Sequence, residues 1–147
     1  MHKHEQHYYL FFSVGSCCNT LETGLAPLGD EYRVVLCRAS SPQGPFYDKA
    51  GKNCLTDTGG TTILASHGDV YAPGGQAILV HPESNRTIML YHYGKLLLPA
   101  FGMPWSEALT GRAAVRPSVS YENEQKFFGF NYLEWKDDGW PVLASAD

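Results

Sequence analysis

The feature that most constrains this chain is a recurrence of short β-favouring runs punctuated by turn residues. "YYLFFSV" (8–14), "EYRVVLCRAS" (31–40), "TTILAS" (61–66), "QAILVHP" (76–82), "RTIMLYHY" (86–93) and "KFFGFNYLEW" (126–135) are rich in aromatic and β-branched residues. Such side chains suit a pleated, half-buried surface. Gly, Pro, Asn, Asp and Ser fill the gaps. "ESN" (83–85) reads as a hairpin turn, and "KDDGWP" leads from the last long run into "VLASA". No run has the 3.6-residue period of a long amphipathic helix. The pattern predicts an all-β chain: a sandwich, a barrel or a propeller.

One stretch departs from it. "GKLLLPAFGMPWSEALTGRAAVRPSVSYENEQ" (94–125) has no strand alternation, scattered prolines and a helix-like "SEAL". A connection of that length without its own structure is foreign to a compact β domain.

Composition narrows the function classes. At 147 residues, 44% hydrophobic and 13% aromatic, the chain has material for one folded core. Only 18% of residues are charged, the formal net charge is −4, and no Lys/Arg cluster occurs, so nucleic acid is not an expected partner. No apolar run approaches the ~20 residues of a membrane-spanning helix. "YYLFF" is too short for the core of a signal peptide, and no export signal is read in the sequence as written.

The four cysteines, Cys17, Cys18, Cys37 and Cys54, lack the Cys-x-x-Cys spacing of a zinc site. On an extended strand Cys17 and Cys18 would point to opposite faces, which argues against a shared metal. Buried thiols are the simplest reading. Alternatively, Cys37 and Cys54 close the turn-rich loop "RASSPQGPFYDKAGKN" as a disulfide, which requires an oxidising compartment. "NRT" at 85–87 fits the acceptor pattern for N-glycosylation and points the same way.

Two histidine groups are candidates for chemistry. Along a continuous strand His2 and His4 would share a face and His7 would point away, and no carboxylate or cysteine is spaced to complete a metal site. A polar hairpin tip is the better reading. "SHGDVYAPGGQ" (66–76) places His67 two residues before Asp69 at a strand end, ahead of a Pro-Gly-Gly turn. Such a loop can present an imidazole, although an ordinary structural turn is the simpler reading of these residues alone. The other acidic residues, including Asp30-Glu31 and Asp137-Asp138, read as solvated turn charges. No Gly-x-Ser-x-Gly elbow, phosphate loop or dinucleotide glycine signature is present.

Taken together, "YYLFFSVGSCC", "EYRVVLCRASSPQGPF", "GGTTILASHGDVYAPGGQ" and "FGFNYLEWKDDGWPVL" resemble, in order, the second half of fungal endo-1,5-α-L-arabinanases of glycoside hydrolase family 43. The likeness covers most of 8–93 and 126–143. It implies a five-bladed β-propeller that hydrolyses internal α-1,5 bonds of arabinan with inversion, using a carboxylic acid and an opposing carboxylate. The family's general base, its pKa-tuning aspartate and its general-acid glutamate have no match here, so no catalytic residue is assigned. Glu5 sits in what reads as the turn after the acid's strand. The resemblance carries over His67 as a ligand, largely through water, of a metal usually assigned as calcium. It marks Cys17 and Cys18 as a substrate-contacting pair near the cleft.

Five blades need roughly 20 strands and ~200 residues or more. The whole chain, 1–147, is therefore expected to be the C-terminal part, about two blades, of an extracellular, monomeric enzyme, and to be inactive alone. Residues 95–125 are read as an atypical insert and a translated intron, since Gly94-Lys95 can be encoded as GGTAAG and Gln125 as CAG. Two rivals remain: an exo-acting arabinofuranosidase or xylosidase of the same family, and a non-catalytic carbohydrate-binding β-module.

Overall fold

The computed structural model describes residues 1–17, 26–27, 29–97, 118–120 and 126–144, and all of their regular structure is strand. The first sheet runs β1 (His2–His4), β2 (His7–Val14), β3 (Arg33–Ala39) and β4 (Thr61–Leu64), each antiparallel to its neighbour. The second contains β5 (Val70–Val80), β6 (Thr87–Leu97), β7 (Ser118–Ser120), β8 (Lys126–Trp135) and β9 (Pro141–Leu143). Its order is β5-β6-β8-β9, with β7 pairing the far end of β6. In the first sheet every strand pairs with the next in sequence, and in the second the order follows the chain apart from β7, which β8 bypasses to pair with β6. The chain is all-β, as its periodicity predicts.

Alternation decides which side chains meet between the sheets. Tyr9 and Phe11 on β2, Val34 and Leu36 on β3 and Leu64 on β4 face Met89 and Tyr91 on β6 and Leu133 on β8, with Trp140 closing the cluster. Val34 and Met89 are fully buried and Tyr9 is 1% exposed. Burying such a side chain contributes roughly 1.5–3 kcal/mol. The turn between β8 and β9 clamps this core from one side. The Tyr9 hydroxyl donates to the Gly139 carbonyl, and Arg38 Nη1 donates to the Asp138 carbonyl at 2.9 Å while its guanidinium lies 4.7 Å from the Trp140 ring centre. Lys49 Nζ meets Asp138 Oδ2 at 2.7 Å.

The loop between β3 and β4 folds back on the first sheet. Cys37 and Cys54 form a disulfide, so the cross-link, and not a buried thiol, is what the sequence encodes there. Inside the loop, Arg38 and Tyr47 exchange backbone hydrogen bonds of 2.8 and 2.9 Å. Asp48 organises the rest: Oδ1 accepts from the Ala50 and Lys52 N–H groups and Oδ2 from that of Gly60. Slight burial pushes the Asp48 carboxyl up, but these three donors outweigh it and hold the group below its ordinary value.

Four local readings are corrected. His2–His4 is a strand in its own right, paired with β2 across a turn in which Glu5 has φ 50°. That turn reverses the chain, so His7 lies opposite His4 on the same face and not on the far one. The Pro73-Gly74-Gly75 segment is no turn: β5 runs straight through it, with register irregularities between Tyr71 and Ala77 and left-handed φ at Ala72 and Gly75. Glu31 is not a solvated charge. It is 6% exposed and its Oε2 accepts the Gly29 N–H at 2.6 Å.

Candidate functional site

Strand register gathers the candidate residues at one end of the first sheet. Val14 pairs with Arg33 and Val34 with Leu64, so the chain leaving β2, entering β3 and leaving β4 meets there. Ser16 bridges to Glu31, the Ser16 N–H donates to the Asp30 carbonyl at 2.7 Å, and the Tyr32 N–H donates to the Ser16 carbonyl at 3.0 Å. The second sheet joins at the same end. Ser13 Oγ donates to Gln76 Oε1 at 2.6 Å and accepts from the Gly75 N–H at 3.2 Å, and Ser66 Oγ accepts from the Ala72 N–H at 3.0 Å. The closeness of the two strands explains Gly74: a Cβ there would lie 2.0 Å from the Tyr32 ring.

His67 projects from this end on a tight turn. Its N–H donates to the Val70 carbonyl at 2.9 Å, and the Val70 N–H donates back at 2.8 Å, with Gly68 at φ 53° between them. The imidazole is exposed, and Nδ1 lies 2.9 Å from the Ala65 carbonyl. A carbonyl has no proton to give, so Nδ1 carries the hydrogen, and in the neutral ring this leaves the lone pair on Nε2. This is the tautomer a metal-ligating histidine adopts when its second nitrogen is fixed by a backbone acceptor.

One nitrogen does not make a calcium site. Calcium takes ~6–8 oxygen ligands. Among the described residues no group of three or more His, Cys, Asp or Glu is placed to hold a metal ion. His67 can fill one position of a shell, and the residues present do not complete it. Cys17 is exposed at the same end and is disulfide-bonded, so it offers sulfur without a titratable thiol. Cys18 lies outside the described residues, as does most of 95–125.

The remaining candidates serve structure. His4 stacks on Trp135 with ring centres 3.7 Å apart and His2 stacks on the same ring at 5.8 Å. Burial, then His4, then the N-terminal ammonium lower the His2 pKa. Glu5 is exposed in the β1–β2 turn. An apolar hollow of about 300 Å³ lies on the other face of the first sheet, under the disulfide loop. It is lined by Leu10, Phe12, Pro45, Phe46 and Leu55, and its lining contains no acid or base. Glu31, Tyr32 and Gln76, which pack around the ends of β2 and β5, were not legible as parts of this end of the molecule. Their placement depends on pairing partners tens of residues away, and no local motif signals it.

Two antiparallel sheets sharing one core define an all-β protein, and within that class this chain belongs to glycosyl hydrolases family 43, whose model matches residues 1–141. It is 40% identical over 136 residues to the arabinan endo-1,5-α-L-arabinosidase C of Emericella nidulans, covering 92% of this chain and 35% of that protein. It is 38% identical over 141 residues to the corresponding enzyme A of Aspergillus aculeatus, covering 96% and 36%. The chain thus spans about a third of the length of these relatives. Among solved structures, the endo-arabinanase of Bacillus licheniformis superposes with a TM-score of 0.62 at 26% identity, over 95% of this chain and 36% of that one. The α-L-arabinanase of Cellvibrio cellulosa superposes at 0.65 over 97% and 34%; at 19% identity it speaks for the fold alone.

Proposed function

We propose that this chain is the C-terminal portion of an endo-1,5-α-L-arabinanase that cleaves internal bonds of arabinan with inversion. The observation that carries the reading is the 40% and 38% identity, over more than nine-tenths of the chain, to two fungal enzymes of that name. On this reading β1–β4 and β5–β9 are two neighbouring blades of a five-bladed propeller, and the end bearing His67 and Cys17 faces the central cleft. The shared core between the sheets and their one-end alignment of loops support it. The Cys17–Cys18 segment contacts substrate. His67 Nε2 supplies one position of a calcium shell that water and the rest of the parent protein fill. The parent is extracellular, in keeping with the Cys37–Cys54 cross-link, and acts as a monomer. Residues 95–125 are an insert, and sequencing the transcript tests their origin: a spliced message that retains these codons rules out the intron reading.

Inverting hydrolysis needs an acid and a base on opposite faces of the sugar. This chain contributes wall and metal-side residues to that geometry, and the two carboxylates come from the remainder of the parent. The test is a chimera joining this chain to the upstream two-thirds of the Emericella nidulans enzyme. The expected result is release of arabino-oligosaccharides from linear arabinan by the chimera and none by the isolated chain. A folded chimera that releases only arabinose favours the exo-acting alternative. One that binds arabinan but cleaves nothing favours a non-catalytic module.

A further inference from the structure

We propose that Asn85 is an N-glycosylation site whose first N-acetylglucosamine is seated in the depression between β1, the start of β6 and Trp135. Asn85-Arg86-Thr87 is the single Asn-x-Ser/Thr triplet in the sequence. The fold places it where an attached sugar has room. Asn85 is exposed at the tip of the β5–β6 hairpin with φ 52°, a conformation asparagine tolerates well. The tip is held by other groups. The His81 N–H donates to the Arg86 carbonyl at 2.8 Å, the Asn85 N–H donates to the His81 carbonyl at 2.9 Å, and Ser84 bonds His81 Nδ1 through both its N–H and its hydroxyl. The Asn85 carboxamide has no hydrogen bond to hold it among the described residues, so a sugar attached to its nitrogen breaks no bond of the turn.

The second observation is the depression itself. Asn85 shares a hollow of about 360 Å³ with His2, His4, Thr87 and Trp135. That volume falls in the range of small-molecule sites, ~300–1,000 Å³. Its wall is the stack of His4 on Trp135, an apolar surface edged by imidazole nitrogens, of the kind that packs against the C–H face of a sugar ring while bonding its polar substituents. The disulfide supplies the third element, since a chain that forms it folds in the oxidising compartment where N-glycans are added.

The transfer balances as a substitution at the anomeric carbon. Asn85 Nδ2 forms a bond to C1 of the terminal N-acetylglucosamine of a lipid-pyrophosphate-linked oligosaccharide. The C1–O bond breaks, the lipid pyrophosphate leaves with the bonding electrons, and a proton leaves Nδ2 for a base of the host's transferase. Thr87 sets the timing. Its hydroxyl must be accessible to the transferase, yet the residue is 8% exposed in the fold, so transfer precedes closure of the second sheet.

Cell-free translation of the full chain behind a cleavable secretion leader, in the presence of endoplasmic-reticulum microsomes, tests the site without requiring secretion. Protease-protected chains should carry one N-glycan, seen as a gel shift that endoglycosidase removes and that both Asn85→Gln and Thr87→Val abolish. Thr87→Val retains the buried shape, so its loss of signal separates acceptor chemistry from misfolding. Protected chains without the shift overturn the proposal. The seat is tested on secreted material trimmed to a single sugar: the His2 and His4 imidazole resonances should move relative to the Asn85→Gln chain, and unchanged resonances overturn the seating.

Discussion

Replacing Cys54 by alanine removes the cross-link between β3 and the loop that follows it. The sequence separation is 17 residues. Closing a loop of that size in the denatured chain lowers its entropy by about 10 cal/mol/K, or about 3 kcal/mol at 25 °C. The native loop keeps its Arg38–Tyr47 backbone bonds and the Asp48 fan of hydrogen bonds, so the loss falls mainly on the unfolded state. Cys37 is fully buried, which leaves its thiol packed in place and shielded from exchange with other disulfides. Urea denaturation followed by tryptophan fluorescence is the assay. With a slope of about 1–3 kcal/mol/M, the midpoint should fall by about 1–3 M. A midpoint within about 0.3 M of the parent chain, at unchanged slope, would refute the reasoning: it would mean the denatured chain gains no freedom when the bond is lost.

Gly129 faces Tyr91 across the β6–β8 pair, where a Cβ would lie 2.6 Å from the ring; Gly129→Ala should destabilise by about 1–3 kcal/mol through overpacking, read as a lower urea midpoint. Arg38→Ala removes both the contact with Trp140 and the bond to the Asp138 carbonyl, and a loss of about 1–2 kcal/mol is expected by the same measurement. The depressed pKa of Asp48 contributes stability that is present above the unfolded carboxylate value of about 3.9 and is lost as pH falls through the lower folded value. The amide resonances of Ala50, Lys52 and Gly60 should therefore titrate with a midpoint below about 3.9, and one at or above it contradicts the assigned hydrogen bonds. Phe128 (69% exposed) and Phe130 (57% exposed) stand on the face of the second sheet turned from the core. The isolated chain should self-associate through them, and sedimentation should show more monomer for Phe128→Ser/Phe130→Ser; a fully monomeric parent chain would remove the basis for this expectation.

Much of the molecule is local and was legible residue by residue. Aromatic and β-branched runs fix the strands because their side chains need a pleated surface, and β8 begins and ends at Lys126 and Trp135 as the run itself does. The turn at 83–85 follows from its Ser-Asn chemistry. The order of segments also identifies the family, since sequence likeness needs no coordinates. What the sequence could not decide is whatever depends on partners far along the chain. Pro73-Gly74-Gly75 has the composition of a turn, yet β6 and the Ser13 hydroxyl hold it as a bulged stretch within one strand. Glu31 looks like a surface charge, yet the fold buries it beside the loop that leaves β2. His7 changes face because the chain reverses between it and His4. The site is mixed: the partners of His67, Ala65 and Val70, lie within three residues of it, and only the meeting of the ends of β2, β3 and β4 depends on strand register. Local chemistry determined which strands exist and which family they belong to, and only long-range pairing decided which faces, charges and loops meet.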